Sequence, residues 1–264
     1  MQTKPDHTPP VSVGQYLAEA GLTDITVIEK RETASTNTDC RQYLADHNPA
    51  APVLITALTQ TGGRGRQGKS FSSPEGGLYM SLLVRPRTPL STTVHATSAA
   101  AAAVCRAVES CGGPRCEIKW VNDIYVNGRK LCGILTEAVN DYALGVTDGL
   151  IIGVGVNLNR YPEDMNATSV LRETGRIPDR NALCARITLE LLRVLDEIGH
   201  GTASFMDEYR TRSCVIGKPV RCIRNHSEFF ADAVGIDNEG GLLIRFPDGH
   251  TETLTSGEIT LRVT

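Results

Sequence analysis

Short aliphatic and β-branched runs alternate along this chain with segments whose apolar positions recur at helical spacing. Pro52 to Leu58 and Leu78 to Val84 read as strands. Ala96 to Ser110 reads as a helix, rich in strong helix formers and stopped at Gly112-Gly113. Glu117 to Val121, an Asn122-Asp123 corner, Ile124 to Val126, an Asn127-Gly128 turn and Lys130 to Ala138 read as adjacent strands, because Asn-Gly between apolar runs signals a hairpin. Leu150 to Asn157 reads as a buried strand. Asn181 to Ile198 places Leu183, Ile187, Leu191, Val194, Leu195 and Ile198 on one helical stripe. Nearer the start, Val11 to Gly21 reads as a short helix ended by glycine, and Ser35-Thr36-Asn37 offers N-cap chemistry for a helix through Tyr43 and Leu44. Residues 1–10 are expected to be disordered. From about Val215 the texture changes to short strands and turns: Lys218 to Ile223, Phe229 to Ile236, Leu242 to Phe246 and Glu252 to Leu254, separated by Asn238 to Gly241 and by Asp248-Gly249. The pattern predicts an α+β domain over 1–214 and a small β barrel over 215–264. Too short to bury much core alone, the barrel is expected to dock on the larger domain.

Composition narrows the function classes. A chain of 264 residues with 41% hydrophobic and 22% charged positions is an ordinary globular protein, and a net charge of -3 supplies no general basic surface for nucleic acid or an anionic membrane. The opening M-Q-T-K-P-D-H-T-P-P lacks the apolar stretch of a secretory signal. The longest apolar run, Ala99 to Cys105, falls far short of the ~20 residues that span a bilayer. A cytoplasmic location is therefore expected. Cysteines at 40, 105, 111, 116, 132, 184, 214 and 222 form no C-x-x-C pair, and six scattered histidines form no H-E-x-x-H. They read as separate reduced thiols with no zinc site.

Three segments carry candidate chemistry. Gly63-Arg64-Gly65-Arg66-Gln67-Gly68-Lys69-Ser70 fits G-x-x-x-x-G-K-[ST], but a phosphate-binding loop of that type opens a helix, whereas Phe71 to Gly77 leads here into another strand. What survives is a glycine loop whose amides can approach an anion and whose Arg64, Arg66 and Lys69 can neutralise one; a solvated surface turn is the alternative. Lys119, between Ile118 and Trp120, points to the sheet face opposite theirs, which on its own reads as a solvent-facing lysine. Lys130, after the hairpin turn, likewise reads as a surface charge. In Gly153-Val154-Gly155-Val156-Asn157 the glycines allow close approach by backbone or ligand.

Taken in order, S-T-N at Ser35, Q-T-G-G-R-G-R-Q-G at Gln60, S-P-E-G-G-L-Y-M-S at Ser73, K-W-V-N-D at Lys119, R-K-L-C-G-I-L-T-E at Arg129 and G-V-G-V-N-L-N at Gly153 resemble the biotin protein ligases. The tail, with S-G-E-I-T-L-R near its end, is similar to that family's C-terminal SH3-like barrel. The resemblance implies a class II synthetase-like catalytic domain whose sheet is mixed and largely antiparallel. It implies that Ser35, Thr36, Asn37 and Gln60 bind the biotin head, whose ureido group offers one carbonyl acceptor and two N–H donors. Gly63, Arg64, Gly65 and Arg66 are assigned to a loop closing over the intermediate, and Lys119 to the central cation that also meets biotin. Arg66, Lys69, Phe71, Asn122, Lys130 and Asn157 are assigned to ATP. Lys119, Arg64 and Arg66 are the expected catalytic groups. Val121 departs from a usual proline, Gly62 from an alanine and Phe71 from a tryptophan. Gly62 is expected to loosen the open loop.

The implied activity is a ligase reaction forming an amide bond. Biotin and ATP, with Mg²⁺ on the phosphates, give biotinyl-5'-AMP, and a lysine of the biotin carboxyl carrier protein of acetyl-CoA carboxylase or a related carboxylase then takes the biotin. Both a monomer and a homodimer are compatible with the sequence. A lipoate ligase shares the fold, and R-G-R with K-W-V-N-D looks biotin-type instead. A biotin-sensing repressor of the same family carries a typical winged DNA-binding domain of ~60 residues, which the 34 proline-rich residues before Ser35 are not expected to form.

Overall fold

A computed structural model describes residues 11–162, 166–224, 227–255 and 258–261; the expected disorder of residues 1–10 falls outside them. In chain order the larger sheet is built from β1 (Thr26–Thr33), β2 (Val53–Gln60), β3 (Leu78–Val84), β4 (Glu117–Lys119), β5 (Asp123–Val126), β6 (Arg129–Asp141) and β7 (Val146–Val156). Its spatial order is β1-β2-β3-β7-β6-β5-β4, with β1 parallel to β2 and every other neighbour antiparallel. The sheet is thus mixed and largely antiparallel. Strand β1 carries no alternating apolar pattern, its residues divide evenly between exposed and half-buried, and it is the element that composition alone passes over.

Period-two alternation assigns the two faces. Leu54, Leu82, Ile152 and Val154 point toward α1 (Val13–Glu19), α3 (Ala96–Ser110), α5 (Arg180–Gly199) and α6 (Phe205–Thr211) in one core. Val53, Ile55, Leu83 and Ile151 point the other way, against Cys40 and Leu44 of α2 (Thr36–His47). The alanines of α3 are buried from Ala99 to Ala103, so this helix lies close between the sheet and its helical neighbours. Strand β7 is buried along nearly its whole length, as a strand covered on both faces must be. Helix α2 covers only the β1-β2-β3-β7 end of its face. The β6-β5-β4 end of that face is left open beside it.

The second sheet, β8 (Pro219–Arg224), β9 (Ser227–Ile236), β10 (Leu242–Arg245), β11 (Thr251–Leu254) and β12 (Glu258–Leu261), is antiparallel in the order β11-β10-β9-β8-β12. It docks as expected. The indole Nε1 of Trp120 donates to the carbonyl of Gly240 at 2.9 Å, and Arg210 donates to the carbonyls of Ile236 and Asp237. The connecting segment also braces β4, since Ile118 N–H donates to Arg212 O and Cys214 N–H donates to Ile118 O. Among the described residues no helix is long and apolar enough to cross a membrane.

Arg212 holds this junction through Glu109 of α3, at 2.6 and 2.9 Å. Burial opposes the charge on Glu109, but the Arg212 guanidinium and the Cys116 N–H outweigh it and hold the carboxyl below its usual range. A depressed carboxyl contributes stability that is present above its unfolded value and lost as pH falls through the folded one. Arg212→Ala is expected to lower the unfolding free energy at neutral pH by about 2 kcal/mol, less than for a fully buried pair because both groups keep some solvent contact. Urea denaturation across pH should also show a shallower decline below about pH 4 in the variant; an unchanged slope would remove the pair from the acid response.

Candidate functional site

Strand register explains where the site lies. Lys119 of β4 pairs with Asp123 of β5, Asp123 with Gly133 of β6, Gly133 with Gly155 of β7, and Gly155 with Tyr79 of β3. Cross-strand partners share a face, so one row places a cation and a carboxylate beside two glycines on the open part of the α2 face. A Cβ on Gly155 would come within 2.4 Å of the Phe71 ring, and one on Gly133 within 2.9 Å. The missing side chains make the floor on which Phe71 rests. In the next row Gly153 faces Asn37, whose Oδ1 would be 2.1 Å from an added Cβ.

The glycine loop forms the lid of the same space. Its legs run antiparallel, with Phe71 N–H donating to Gly63 O at 2.8 Å and Gly65 N–H to Lys69 O at 2.7 Å. A single 3-10 turn at Arg66–Gly68 makes its tip, and the chain proceeds from Ser70 to β3 without a helix. A phosphate-binding loop of the helix-capping type is thereby excluded. Gly63 has a packing reason to be glycine, since a Cβ there would meet Phe71 O at 2.3 Å. At the base of the loop the Gly62 N–H donates to Ala34 O at 2.8 Å.

Together these elements enclose a cavity of about 310 Å³. Its walls include Ser35, Thr36, Asn37, Gln60, Arg64, Gly65, Arg66, Lys69, Phe71, Lys119, Asn122 and Lys130. Ser35 starts α2 without a side-chain cap bond, which leaves its hydroxyl to the cavity. At this end, Thr36 N–H and Oγ1 donate to Gln60 Oε1 at 2.9 and 3.2 Å, and Gln60 Nε2 donates to Ser73 Oγ at 2.8 Å. At the other end, Arg66 Nη1 donates to Asn122 Oδ1 at 3.3 Å, and Lys130 Nζ lies 2.7 Å from Asp123 and over the Phe71 ring.

The lysines do not behave as the segments suggest in isolation. Lys119 faces the cavity, donating to Tyr125 Oη at 3.3 Å, and Lys130 is part of the wall. Burial pushes the Tyr125 phenol up to about 12, so Lys119 has a neutral neighbour. Among the described residues neither Lys119 nor Arg66 makes an ion pair, whereas Arg64 is held by Glu137 and Lys130 by Asp123. A cavity with two such cations is built to receive negative charge.

Two expected site residues lie elsewhere. Asn157 is buried outside the cavity wall, where its Nδ2 donates to Thr168 O at 3.0 Å, and Gly63, packed in the loop against Phe71 O and Ser73 Oγ, is not part of the wall. The sequence pattern alone passes over Ser81, Asp123, Tyr125, Glu137 and Ile259. Alternation from Gly133 through Leu135 would put Glu137 on the cavity face. Ser81 and Ile259 carry no such signal, because their places follow from packing with α2 and from docking of the second sheet. The cysteines are free thiols, and burial raises those of Cys40, Cys132 and Cys184.

Residues 30–157 match the Biotin/lipoate A/B protein ligase family, and residues 215–262 the biotin protein ligase C terminal domain. The chain is 37% identical over 216 residues to the bifunctional ligase/repressor BirA of Bacillus subtilis, which covers 78% of this chain and 65% of that relative. It is 30% identical over 236 residues to the biotin--[acetyl-CoA-carboxylase] ligase of Mycobacterium tuberculosis, covering 86% of each. In structure it is similar to the biotin protein ligase from Aquifex aeolicus in complex with biotin and ATP, with a TM-score of 0.76 and 27% identity over 90% of this chain and 99% of that one.

Because Gly153 touches Asn37 so closely, Gly153→Ala is expected to destabilise the protein by about 1–3 kcal/mol through overpacking. Urea unfolding measures it; an unchanged midpoint would mean that Asn37 can swing aside freely.

Proposed function

The chain belongs to the biotin protein ligases of the biotin/lipoate A/B protein ligase family, and on that basis we propose that it activates biotin with ATP and transfers it to a carrier lysine. The observation that carries this reading is the pair of cations, Lys119 and Arg66, facing one cavity without ion-pair partners among the described residues. The chain spans 65% of the length of the Bacillus subtilis relative.

In the proposed reaction a biotin carboxylate oxygen attacks the α-phosphorus of ATP, forming biotinyl-5'-AMP and expelling pyrophosphate. The free amine of the carrier lysine then attacks the acyl carbon, forming the amide and releasing AMP. Both reactants of the first step are anions. Lys119 and Arg66 supply fixed positive charge where their negative charge meets, and need no reorganisation at the moment of reaction. Ser35, Thr36, Asn37 and Gln60, at the closed end, suit the ureido head. Arg66, Lys69, Phe71, Asn122 and Lys130 suit the nucleotide, with the Phe71 ring as a stacking surface. Asn157 acts on that region from behind the wall. Arg64, Gly65 and Arg66 in the lid shield the adenylate from water.

Magnesium suits the phosphates that would carry it, since they supply the oxygen ligands it prefers. Asp123, the carboxylate on the wall, is held by Lys130, and among the described residues no three His, Cys, Asp or Glu side chains gather around a metal position. The carrier we propose is the biotin carboxyl carrier protein of acetyl-CoA carboxylase or a related carboxylase. The proposed location is the cytoplasm, where the eight free thiols would stay reduced.

Incubation of the protein with ATP, Mg²⁺, a carrier domain and either biotin or lipoate tests the reading by intact mass. A biotin-sized increment on the carrier is expected, and a lipoate increment alone would overturn it. Lys119→Ala should lower adenylate formation by about 10²-fold or more, read as pyrophosphate release; a near-normal rate would remove Lys119 from the chemistry. Arg66→Ala should release biotinyl-5'-AMP into solution, and retention equal to the parent would contradict the role given to the lid.

A further inference from the structure

Glu137 has no part in the reaction as written, yet its carboxylate joins the lid to the closed end of the cavity. Oε2 accepts from Asn37 Nδ2 at 2.8 Å and from Arg64 Nη2 at 2.7 Å, and Oε1 lies 3.5 Å from Arg41 Nη2. The chain of contacts continues inward. Asn37 Oδ1 is 2.6 Å from Ser81 Oγ, which is also 2.6 Å from Thr36 Oγ1, and Thr36 in turn bonds Gln60. Glu137 itself borders a second recess, shared with Arg64, Arg66 and Lys69.

Donor and acceptor counting makes this contact specific. An ionised carboxylate only accepts, so the carboxamide of Asn37 has to turn its Nδ2 toward Glu137. Both Nδ2 hydrogens are then engaged, one by Glu137 and the other by Leu135 O at 3.3 Å. Oδ1 has two lone pairs and one neighbour, Ser81. What Asn37 retains for a ligand is an acceptor, which a ureido N–H can meet and a carbonyl cannot. The same carboxylate restrains Arg64, whose side chain is 43% exposed and would otherwise sample many rotamers. Glu137 is 19% exposed, so the charge-assisted bond is screened on one side only.

We infer that Glu137 is a positioning residue. Through Asn37 it sets an acceptor at the closed end of the cavity, and through Arg64 it latches the lid across the mouth. The inference rests on the biotin-adenylating reading of the cavity, but the latch is testable without that reaction.

The test uses Glu137→Gln, which keeps the size and removes the charge, together with Arg64→Ala, the double variant, and Arg41→Ala as a control. In Glu137→Gln the KM for biotin in pyrophosphate release should rise about 10-fold while kcat changes less than about threefold, the signature of lost binding, not lost chemistry. Biotinyl-5'-AMP should escape about 10-fold faster than from the parent in Glu137→Gln and in Arg64→Ala, and from the double variant no faster than from Glu137→Gln alone, since Arg64→Ala removes a link that Glu137→Gln has already cut. Amide hydrogen exchange of residues 63–70 in the ligand-free protein should speed up by about the same factor in both single variants, and stay within about twofold of the parent in Arg41→Ala. Thermal unfolding confirms that the variants are folded, and Arg64→Ala carries the latch test should Glu137→Gln fail to fold. Parental KM, or parental exchange in the loop, overturns the inference, as does an escape rate in the double variant equal to the product of the single effects. A parent protein that forms no biotinyl-5'-AMP defeats the adenylation reading instead, and the exchange measurement still decides the latch.

Discussion

Two cations, Lys119 and Arg66, face a half-enclosed cavity whose nearest carboxylates are already taken by other bases. Each donates to a neutral partner, Lys119 to Tyr125 and Arg66 to Asn122, and the architecture serves to hold both in place. Lys119 stays because β4 is hydrogen-bonded on both sides, to β5 through its ladder and to the 212–214 segment through Ile118. Arg66 stays because its loop is an antiparallel pair closed by a tight tip and leaning on Asn122. Neither position tolerates much slack, since charge stabilisation weakens as the groups drift from the reacting atoms.

Space for the ligand comes from absent side chains. Gly133 and Gly155 lie side by side in the ladder and Gly153 one row away, so a sheet otherwise filled with Ile, Leu and Val has a hollow at its open end. Phe71 and Asn37 occupy part of that hollow from opposite sides. The lid and the first turn of α2 are thus fitted to the sheet floor by steric complementarity before any ligand enters. The polar chain from Gln60 through Thr36, Ser81 and Asn37 to Glu137 and Arg64 then couples the recognition end to the lid.

The small C-terminal sheet is part of the same arrangement. Trp120, next to the cavity lysine, bonds to a turn of that sheet, and Ile259 of β12 lines the cavity. Residues far apart in the chain therefore share one wall, and stability at the α3–α6 junction and geometry at Lys119 are linked through Arg212 and Ile118.

Much of this was legible in the residues. Strand β3 and helix α3 have the bounds that their apolar patterns set, and the Asn127-Gly128 turn sits where a hairpin needs positive φ. The loop glycines, its arginines and the K-W-V-N-D segment announced anion chemistry, because residue type and local spacing govern turns, charge and periodicity. What the chain could not say locally was which face Lys119 would use. Alternation places it opposite Ile118 and Trp120, but whether that face meets water or a cavity depends on how far α2 extends over the sheet. Lys130, Asn157, Ser81 and Glu137 were decided in the same way. Their roles follow from cross-strand register and helix placement, which are set by contacts between segments distant in sequence, and for which no local pattern is a substitute.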